Sequence, residues 1–291
     1  KYQKVDLENL KCILTNWILG EIIKTDKKIN LYLDEYKFNE ASNEIYHFIW
    51  HIFCDWYLEL IKPYFESSDS QNLKEIKDVT AFALKFILIK LHPFMPFITE
   101  ELWENLGYKE KPLILSEWDL NLPEKEDVNL SLNTSLLIEI ISSVRSIRSE
   151  LNIPSKAYLS LEVKEKNYEK LSKIENVNVL LNKLVRIDTI ANVSNFSDRA
   201  ASFSVLEIDF SLVIDDSIDL SMELLRIEKE EDKISQDINL LKKKLDNKNF
   251  VEKAPKNVVQ ENIDRLDDLN SNLIKVRESK LFIGKFVSNG E

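Results

Sequence analysis

Glycine is scarce in this sequence, with only 4 among 291 residues. A loop that cradles phosphate needs closely spaced glycines, so that its backbone can turn tightly around the anion. The four glycines form neither of the two common loops of this kind; they are Gly20, Gly107, Gly284 and Gly290. The sequence therefore excludes the common phosphate-binding motifs as the basis of function.

Cysteine and histidine are also few, with 2 and 3 residues. Cys12 and Cys54 lie far apart in apolar surroundings, which favours buried thiols in a reducing cytoplasm over the alternative of a structural disulfide. His47 and His51 share a helical face with Cys54 nearby, which suggests a metal site, but no fourth ligand is evident. We therefore expect no bound metal and interpret these side chains as filling gaps between aromatic residues.

Long apolar runs are absent. No stretch reaches the roughly 18 apolar residues that span a bilayer, and no signal-peptide pattern is present. We therefore expect no membrane association. The chain begins at Lys1 and helical spacing of apolar residues begins at Leu7, so we expect a fragment or a processed product.

Acidic residues predominate, and the net charge is −11. The excess is local: residues 221–283 contain 13 acidic and 13 basic residues, so the acid excess lies in residues 1–220. Within 239–256, six lysines face only two acidic residues. One short region near the C-terminus is therefore basic, and it can attract an anionic partner.

Apolar residues recur with helical spacing through most of the first 152 positions. This spacing predicts helices over 6–37, 38–62, 72–91 and 131–152. The second has a broad stripe in steps of four, which is typical of a helix buried in a bundle: Phe48, Ile52, Trp56 and Leu60. We expect Pro63 and the polar run Glu66–Gln71 to end that helix, and Thr99 to cap a further short helix.

The next segment changes period. Residues 157–164 alternate between apolar and polar, as in a half-buried strand. A helix over 166–184 and strands near 185–190 and 203–214 follow, which predicts a small α+β module.

Two heptad patterns occupy the C-terminal part. The first has one polar break, Glu231, in the seam Leu220, Leu224, Ile227, Glu231, Ile234, Ile238, Leu241 and Leu245. The second seam is Val259, Asn262, Leu266, Leu269, Leu273 and Val276. A turn over 246–256 joins them, so the helices must run antiparallel. With about 25 residues each, they form an arm of roughly 37 Å.

Arginines near the end of the fourth helix are candidates for RNA contact. Arg145, Arg148 and Asn152 lie together off the apolar face, and arginine offers planar donors to phosphates and bases. The alternative is surface ion pairs with Glu139 or Glu150.

The basic turn of the arm is the strongest candidate for phosphate binding. Its lysines can displace counterions: Lys242, Lys243, Lys244, Lys248, Lys253 and Lys256. The alternative is an ordinary solvated charge run.

The second helix carries two further candidates. The aromatic residues of 46–57 could stack on bases, but we expect them to form core. We interpret Asp55 and Glu59 as a surface pair.

Five segments carry a family resemblance: LTNWILGEI (14–22), YKFNEASNEIYHFIWHIFCDWYLELIKP (36–63), KLHPFMPFITEELWENL (90–106), VRSIRSELNIP (144–154) and DNKNFVEKAPKNVV (246–259). In order, and over essentially the whole chain, they resemble the C-terminal third of bacterial valyl-tRNA synthetases. HPFMPFITEELW is shared by several class I synthetases, whereas NFVEKAP between heptad helices is far more specific to the valine enzymes.

The resemblance implies a mainly α fold of three parts. These are an anticodon-binding helical bundle over 1–135, a small α+β junction module over 136–216 and a C-terminal antiparallel two-helix coiled-coil arm over 217–291. In the family, the bundle and junction receive the anticodon stem-loop, and the arm lies against the outer corner of the tRNA. The implied partner is tRNA(Val), and we expect a cytoplasmic monomer.

The family's two ATP-site signatures and its editing domain do not occur in the sequence, so we expect no catalytic residue and no cofactor in this chain. ATP, valine and Mg²⁺ belong to the parent enzyme, which the resemblance identifies as a valine–tRNA ligase. Two alternatives stay open. One is the same region of an isoleucine or leucine enzyme, which the NFVEKAP hairpin and the lack of a cysteine zinc knuckle disfavour. The other is a non-enzymatic helical scaffold whose coiled coil pairs with protein.

Overall fold

A computed structural model describes residues 5–66, 70–109, 111–124, 128–214, 220–247 and 255–287. The chain divides into two compact units, Lys1–Ser142 with Lys166–Val185, and Ser143–Glu165 with Arg186–Glu291. Residues 166–185 therefore belong to the helical first unit, whereas the sequence-based bounds place them in the junction module.

The first unit is helical. Its elements are α1 (Ile13–Asp34), α2 (Phe38–His47), α3 (Leu58–Phe65), α4 (Ser70–Leu91), α5 (Pro96–Asn105), the first part of α6 (Val128–Glu150), α7 (Glu165–Ser172) and α8 (Val177–Val185). Helix α1 packs against α2 and α4, and α3 packs against α8. Most apolar side chains of α1 and α4 are buried, as the bundle prediction requires, although Leu31 near the end of α1 is 54% exposed.

A π-helical segment, Phe48–Tyr57, joins α2 to α3 without a break. Along this stretch the buried positions are Ile45, Phe48, Phe53, Tyr57 and Leu60. The step of five from Phe48 to Phe53 matches the wider turn of a π-helix, in which each amide bonds five residues back. The predicted stripe in steps of four is therefore wrong at Ile52 and Trp56, which are only half-buried.

Two predicted boundary residues act differently. Pro63 lies inside α3, which continues to Phe65 and ends, as predicted, where the polar run from Glu66 begins. Thr99 does not cap α5, since that helix begins at Pro96 and Thr99 is fully buried within it. The Thr99 hydroxyl donates to the Met95 carbonyl oxygen at 2.8 Å, as threonine often does inside a helix.

A carboxylate from α4 holds the start of α1. Glu75 accepts hydrogen bonds from the backbone amides of Lys11 and Cys12 at 3.0–3.1 Å, and from the Thr15 hydroxyl. These amides precede the first helical turn, where they have no partner within the helix. Cys12 is a free thiol, and burial raises its pKa to about 11.

The second unit contains a four-stranded sheet with strand order β2-β1-β4-β3. The strands are β1 (Leu159–Lys164), β2 (Ile187–Val193), β3 (Ala200–Val205) and β4 (Ile208–Val213). Strand β1 pairs with β2 in parallel, and the chain passes through α7 and α8 between them, as a parallel pair requires. Strand β4 pairs antiparallel with both β1 and β3.

Two predicted elements of this region are each divided in the structure. The helix predicted over 166–184 is two helices, α7 and α8, separated near Asn176, which has a φ of 56°. The strand predicted over 203–214 is a hairpin, since Leu206 and Glu207 have φ values of 46° and 63° and reverse the chain. Two successive positive φ angles define the tight turn that matches strand twist.

The arm consists of α9 (Ser221–Asp246) and α10 (Lys256–Val287), which pack against each other. Lys244 contacts Asn262, and Glu231 contacts Arg277, so the pairing runs antiparallel as predicted. The described residues of both predicted seams are buried or half-buried. Among the helices of the described segments, none combines the length and apolarity that a membrane crossing requires.

Candidate nucleic-acid interface

Arg148, a predicted RNA-binding residue near the end of α6, holds the loop that follows the helix. Its Nη2 donates to the carbonyl oxygens of Pro154 and Ala157 at 2.8 and 2.9 Å. Arg148 therefore bonds to these two carbonyl oxygens and not to Glu139 or Glu150, the partners in the alternative prediction. Because both acceptors are neutral, Arg148 keeps its full positive charge in the loop.

Asn152, the second of these residues, adopts a left-handed backbone with φ of 47°, a conformation that asparagine tolerates well. Its amide nitrogen donates to Glu223 Oε2 at 2.8 Å. Glu223 lies in the first turn of α9, is 7% exposed, and also receives Arg226 at 2.6–3.0 Å. The hydrogen bonds from Arg226 are the main cause that lowers the pKa of Glu223. Asn152 therefore ties the end of α6 to the base of the arm.

Arg145 is exposed on α6, one turn before Arg148. A role of Arg145, Arg148 or Asn152 in RNA binding stays a prediction.

Two residues that sequence reasoning missed complete this surface. Arg186 Nη1 donates to the Tyr158 hydroxyl at 3.0 Å, and the guanidinium lies 5.6 Å from the centre of that ring. Tyr158 is half exposed, at 50%, and Arg186 is exposed. The alternation of 157–164 places Tyr158 on the polar side of its strand, which was the available signal. No pattern in the sequence indicates that Arg186 approaches it.

The predicted lysines of the arm are only partly within the described residues. Lys242, Lys243 and Lys244 are exposed near the end of α9, and Lys244 Nζ donates to Asn262 Oδ1 at 3.1 Å. Lys248 and Lys253 lie outside the described residues. Lys256 is the first residue of α10. The three lysines of α9 thus present positive charge at the end of the helix that leads into the turn.

The polar break in the heptad seam is a charge cluster. Glu231 receives Arg277 Nε at 2.8 Å and Lys280 Nζ at 3.0 Å from the facing helix. The hydrogen bond from Arg277, followed by that from Lys280, lowers the pKa of Glu231. These two pairs show which residues of α9 and α10 face each other at this point of the arm.

The aromatic residues of 46–57 divide between core and surface. Phe48, Phe53 and Tyr57 are buried as predicted. Tyr46 and Trp50 are 59% and 54% exposed, and their rings stack at 6.3 Å with an interplanar angle of 6°. His51 contacts Asp55 at 3.2 Å, and the described residues contain no group of three potential metal ligands.

A cavity of about 960 Å³ lies in the first unit beside the stacked rings of Trp103 and Tyr108. Its lining has two cations, Lys85 and Lys111, and four carboxylates, Asp6, Glu8, Glu117 and Asp119. The acidic excess disfavours a phosphate there, because like charges repel. The cationic surfaces of the second unit are therefore better candidates for contact with RNA.

Comparison with known families agrees with this arrangement. The anticodon-binding domain of tRNA ligases matches residues 15–164, which is about half of the chain. The chain therefore belongs to the family of anticodon-binding domains of tRNA ligases. Residues 219–281, which contain almost all of the arm, match the tRNA binding arm of valyl-tRNA synthetases.

Curated relatives are valine–tRNA ligases. That of Bartonella henselae is 39% identical over 274 residues, which cover 91% of this chain and 29% of the relative. That of Bacillus subtilis is 31% identical over 269 residues, covering 92% of this chain and 31% of the relative. That of Mesorhizobium japonicum is 33% identical over 282 residues, covering 94% and 30%. The chain thus spans about three tenths of the length of the curated relatives that it matches.

Proposed function

We propose that this chain is the tRNA-binding region of a cytoplasmic valine–tRNA ligase and that its partner is tRNA(Val). The observation that carries the proposal is the order of the two family matches, an anticodon-binding domain followed by the arm specific to valyl-tRNA synthetases. The first match covers the chain from α1 to strand β1, and the second covers almost all of the antiparallel helix pair.

Aminoacylation itself is proposed for the whole enzyme, which would use ATP, Mg²⁺ and valine. The contribution proposed for this chain is affinity and orientation, since positioning of a bound substrate supplies much of an enzyme's rate. The lysines of α9 attract the phosphate backbone by releasing its counterions. The reducing cytoplasm suits Cys12 and Cys54, both of which are free thiols.

The test is salt-dependent binding of the chain to a tRNA(Val) transcript, compared with tRNA(Ile) and tRNA(Leu). We expect tRNA(Val) to bind most tightly, and its affinity to fall with rising KCl. Reversal of the charge of Lys242 and Lys243 to Glu should weaken binding about tenfold or more and reduce the salt slope by about 2, one for each phosphate contact.

A matched control reverses two exposed lysines nearer the start of the same helix, Lys229 and Lys233. If the control pair and the Lys242/Lys243 pair weaken binding equally, the lysines at the end of α9 have no special role. Equal affinity of the chain for all three tRNAs would contradict the assignment to the valine enzyme, and absence of tRNA binding would overturn the function.

A further inference from the structure

Two arginines of the second unit lie close together without a counter-ion. Arg148 donates to two backbone carbonyls, and Arg186 donates to the Tyr158 hydroxyl, so every acceptor is neutral. Within the described segments, no carboxylate forms an ion pair with either guanidinium. Burial lowers the pKa of Arg148, and the nearby charge of Arg186 acts in the same direction. Two positive charges thus reinforce each other at one place on the surface.

Arg148 contributes to this field from within the protein. Its Nη1 is buried and, in the described part of the chain, has no hydrogen-bond partner. A buried donor without a partner is uncommon and costs free energy. Because Arg148 is half-buried, water screens its charge less than that of a fully exposed arginine, and the charge acts on Arg186 and on an anion bound there.

We propose that Arg186 and Tyr158 bind a phosphate of the RNA backbone, with Arg148 behind them reinforcing the positive field. This inference rests on the proposed function and extends it to two residues outside the predicted site. The remaining N–H groups of Arg186 offer a planar fork that matches phosphate oxygens. The Tyr158 hydroxyl accepts a hydrogen bond from Arg186, so its own proton is available for a second bond to the same phosphate.

The backbone holds both residues in place. The Leu159 amide donates to the Arg186 carbonyl oxygen at 3.0 Å, which links the start of β1 to the residue just before β2. Arg186 has a φ of 58°, a left-handed conformation that glycine or asparagine usually supplies after a helix. An arginine in this strained position is the kind of local cost that proteins retain where the side chain has a function.

The test measures the affinity of the full chain for tRNA(Val) across a KCl series, with Arg186→Gln as the main variant. We expect severalfold weaker binding and a salt slope lower by about 0.7–0.9, the value for one phosphate contact. Arg186→Lys keeps the charge, so it should retain the slope. Tyr158→Phe keeps the ring but loses the hydroxyl, so it should weaken binding less than Arg186→Gln does.

Arg277→Gln is the matched control, because Arg277 is a cation already neutralised by Glu231; its salt slope should equal that of the wild type. Without tRNA, the melting temperature of the Arg186→Gln variant should equal or exceed that of the wild type, because the repulsion between Arg186 and Arg148 is removed. A lower melting temperature with an unchanged salt slope would show a purely structural role and overturn the inference. Wild-type binding with identical behaviour of Arg186→Gln would refute this site alone, whereas absence of wild-type binding would refute the proposed function with it.

Discussion

Lys90 is an ammonium group in the interior of the helical unit, where it is 1% exposed. Its Nζ lies 2.7 Å from Asp26 Oδ1, donates to the Trp118 carbonyl oxygen at 2.9 Å and sits 3.9 Å from the centre of the Trp118 ring. Burial lowers its pKa, although Asp26 acts in the opposite direction. One side chain therefore connects α1, α4 and the loop that contains Trp118.

We expect Lys90→Met to destabilise the chain by about 3 kcal/mol, because Asp26 then lacks its counter-ion in a largely buried setting. Lys85→Met is the control, since Lys85 lies on the same helix and is only half-buried; it should cost less than about 0.5 kcal/mol. Urea unfolding followed by circular dichroism measures both. Adding Asp26→Leu to Lys90→Met should recover part of the loss; no recovery would show that packing around Trp118, and not the lone carboxylate, causes it.

The helical spacing of residues 72–91 predicts the helix that carries Lys85 and Lys90, but it cannot show which of the two lysines is buried. The difference arises from Asp26 and Trp118, which are remote in sequence and are brought together only by the packing of the unit. The same limit applies to Arg148. Its spacing predicts a surface cation, whereas its acceptors are carbonyl oxygens of a loop whose path cannot be derived from helical periodicity.

The type and length of a helix could be predicted where its apolar residues repeat regularly along the sequence. The arm is the best case, because the heptads of α9 and α10 repeat over many turns and Glu231 marks the break that Arg277 and Lys280 satisfy. The π-helical segment was not predictable, since its apolar residues also fit an α-helical stripe.

The hairpin of β3 and β4 shows a second limit of the sequence. Two-residue turns of this kind usually contain asparagine or glycine, whereas Leu206 and Glu207 occupy this one with positive φ. Without the usual turn residues, the two strands look like one long strand. Strand pairing favours the hairpin over one long strand, because β4 lies between β1 and β3 and its apolar residues are buried there.

The seam of the arm is tested by Ile238→Asp. Ile238 is 5% exposed between α9 and α10, so the new carboxylate would be buried without a partner and should destabilise the arm by several kcal/mol, on the order of 3. Leu240→Asp is the control, because Leu240 is 65% exposed on the same helix. We expect loss of helical ellipticity on mild heating for Ile238→Asp only. Equal melting of the two variants would mean that Ile238 is not in a packed seam.

Charge is distributed unevenly along the whole chain, between residues 1–220 and residues 221–283. The net charge of −11 lies in residues 1–220, whereas 221–283 is balanced. An acidic protein that binds RNA needs local cationic surfaces, since the long-range field repels the phosphate backbone. The lysines near the end of α9 and the arginines beside Tyr158 supply such surfaces. Salt screens their attraction for a phosphate in contact with them only weakly, whereas it screens the repulsion from more distant acidic residues strongly.

The arm of this chain is not expected to pair with the arm of a second copy. Helices α9 and α10 bury their seams against each other within one chain, so the described residues of the arm offer no free heptad seam to a second copy. The apolar residues that remain exposed in the described part of the arm belong to neither heptad seam; they are Met222, Leu225, Leu240, Ile263, Ile274 and Leu281. We expect light scattering to give the monomer mass of 34.1 kDa at micromolar concentrations.

Light scattering in 0.5 M KCl distinguishes two reasons why the chain would remain monomeric, the paired seams of the arm and the repulsion between acidic chains. High salt screens the repulsion between acidic chains, so a mass that stays at 34.1 kDa shows that the paired seams, and not the charge, prevent association. A doubled mass at both salt concentrations would instead support a scaffold whose arm pairs between chains. Ile238→Asp distinguishes the pairing, because it should abolish an intermolecular helix pair and leave the mass of a true monomer unchanged.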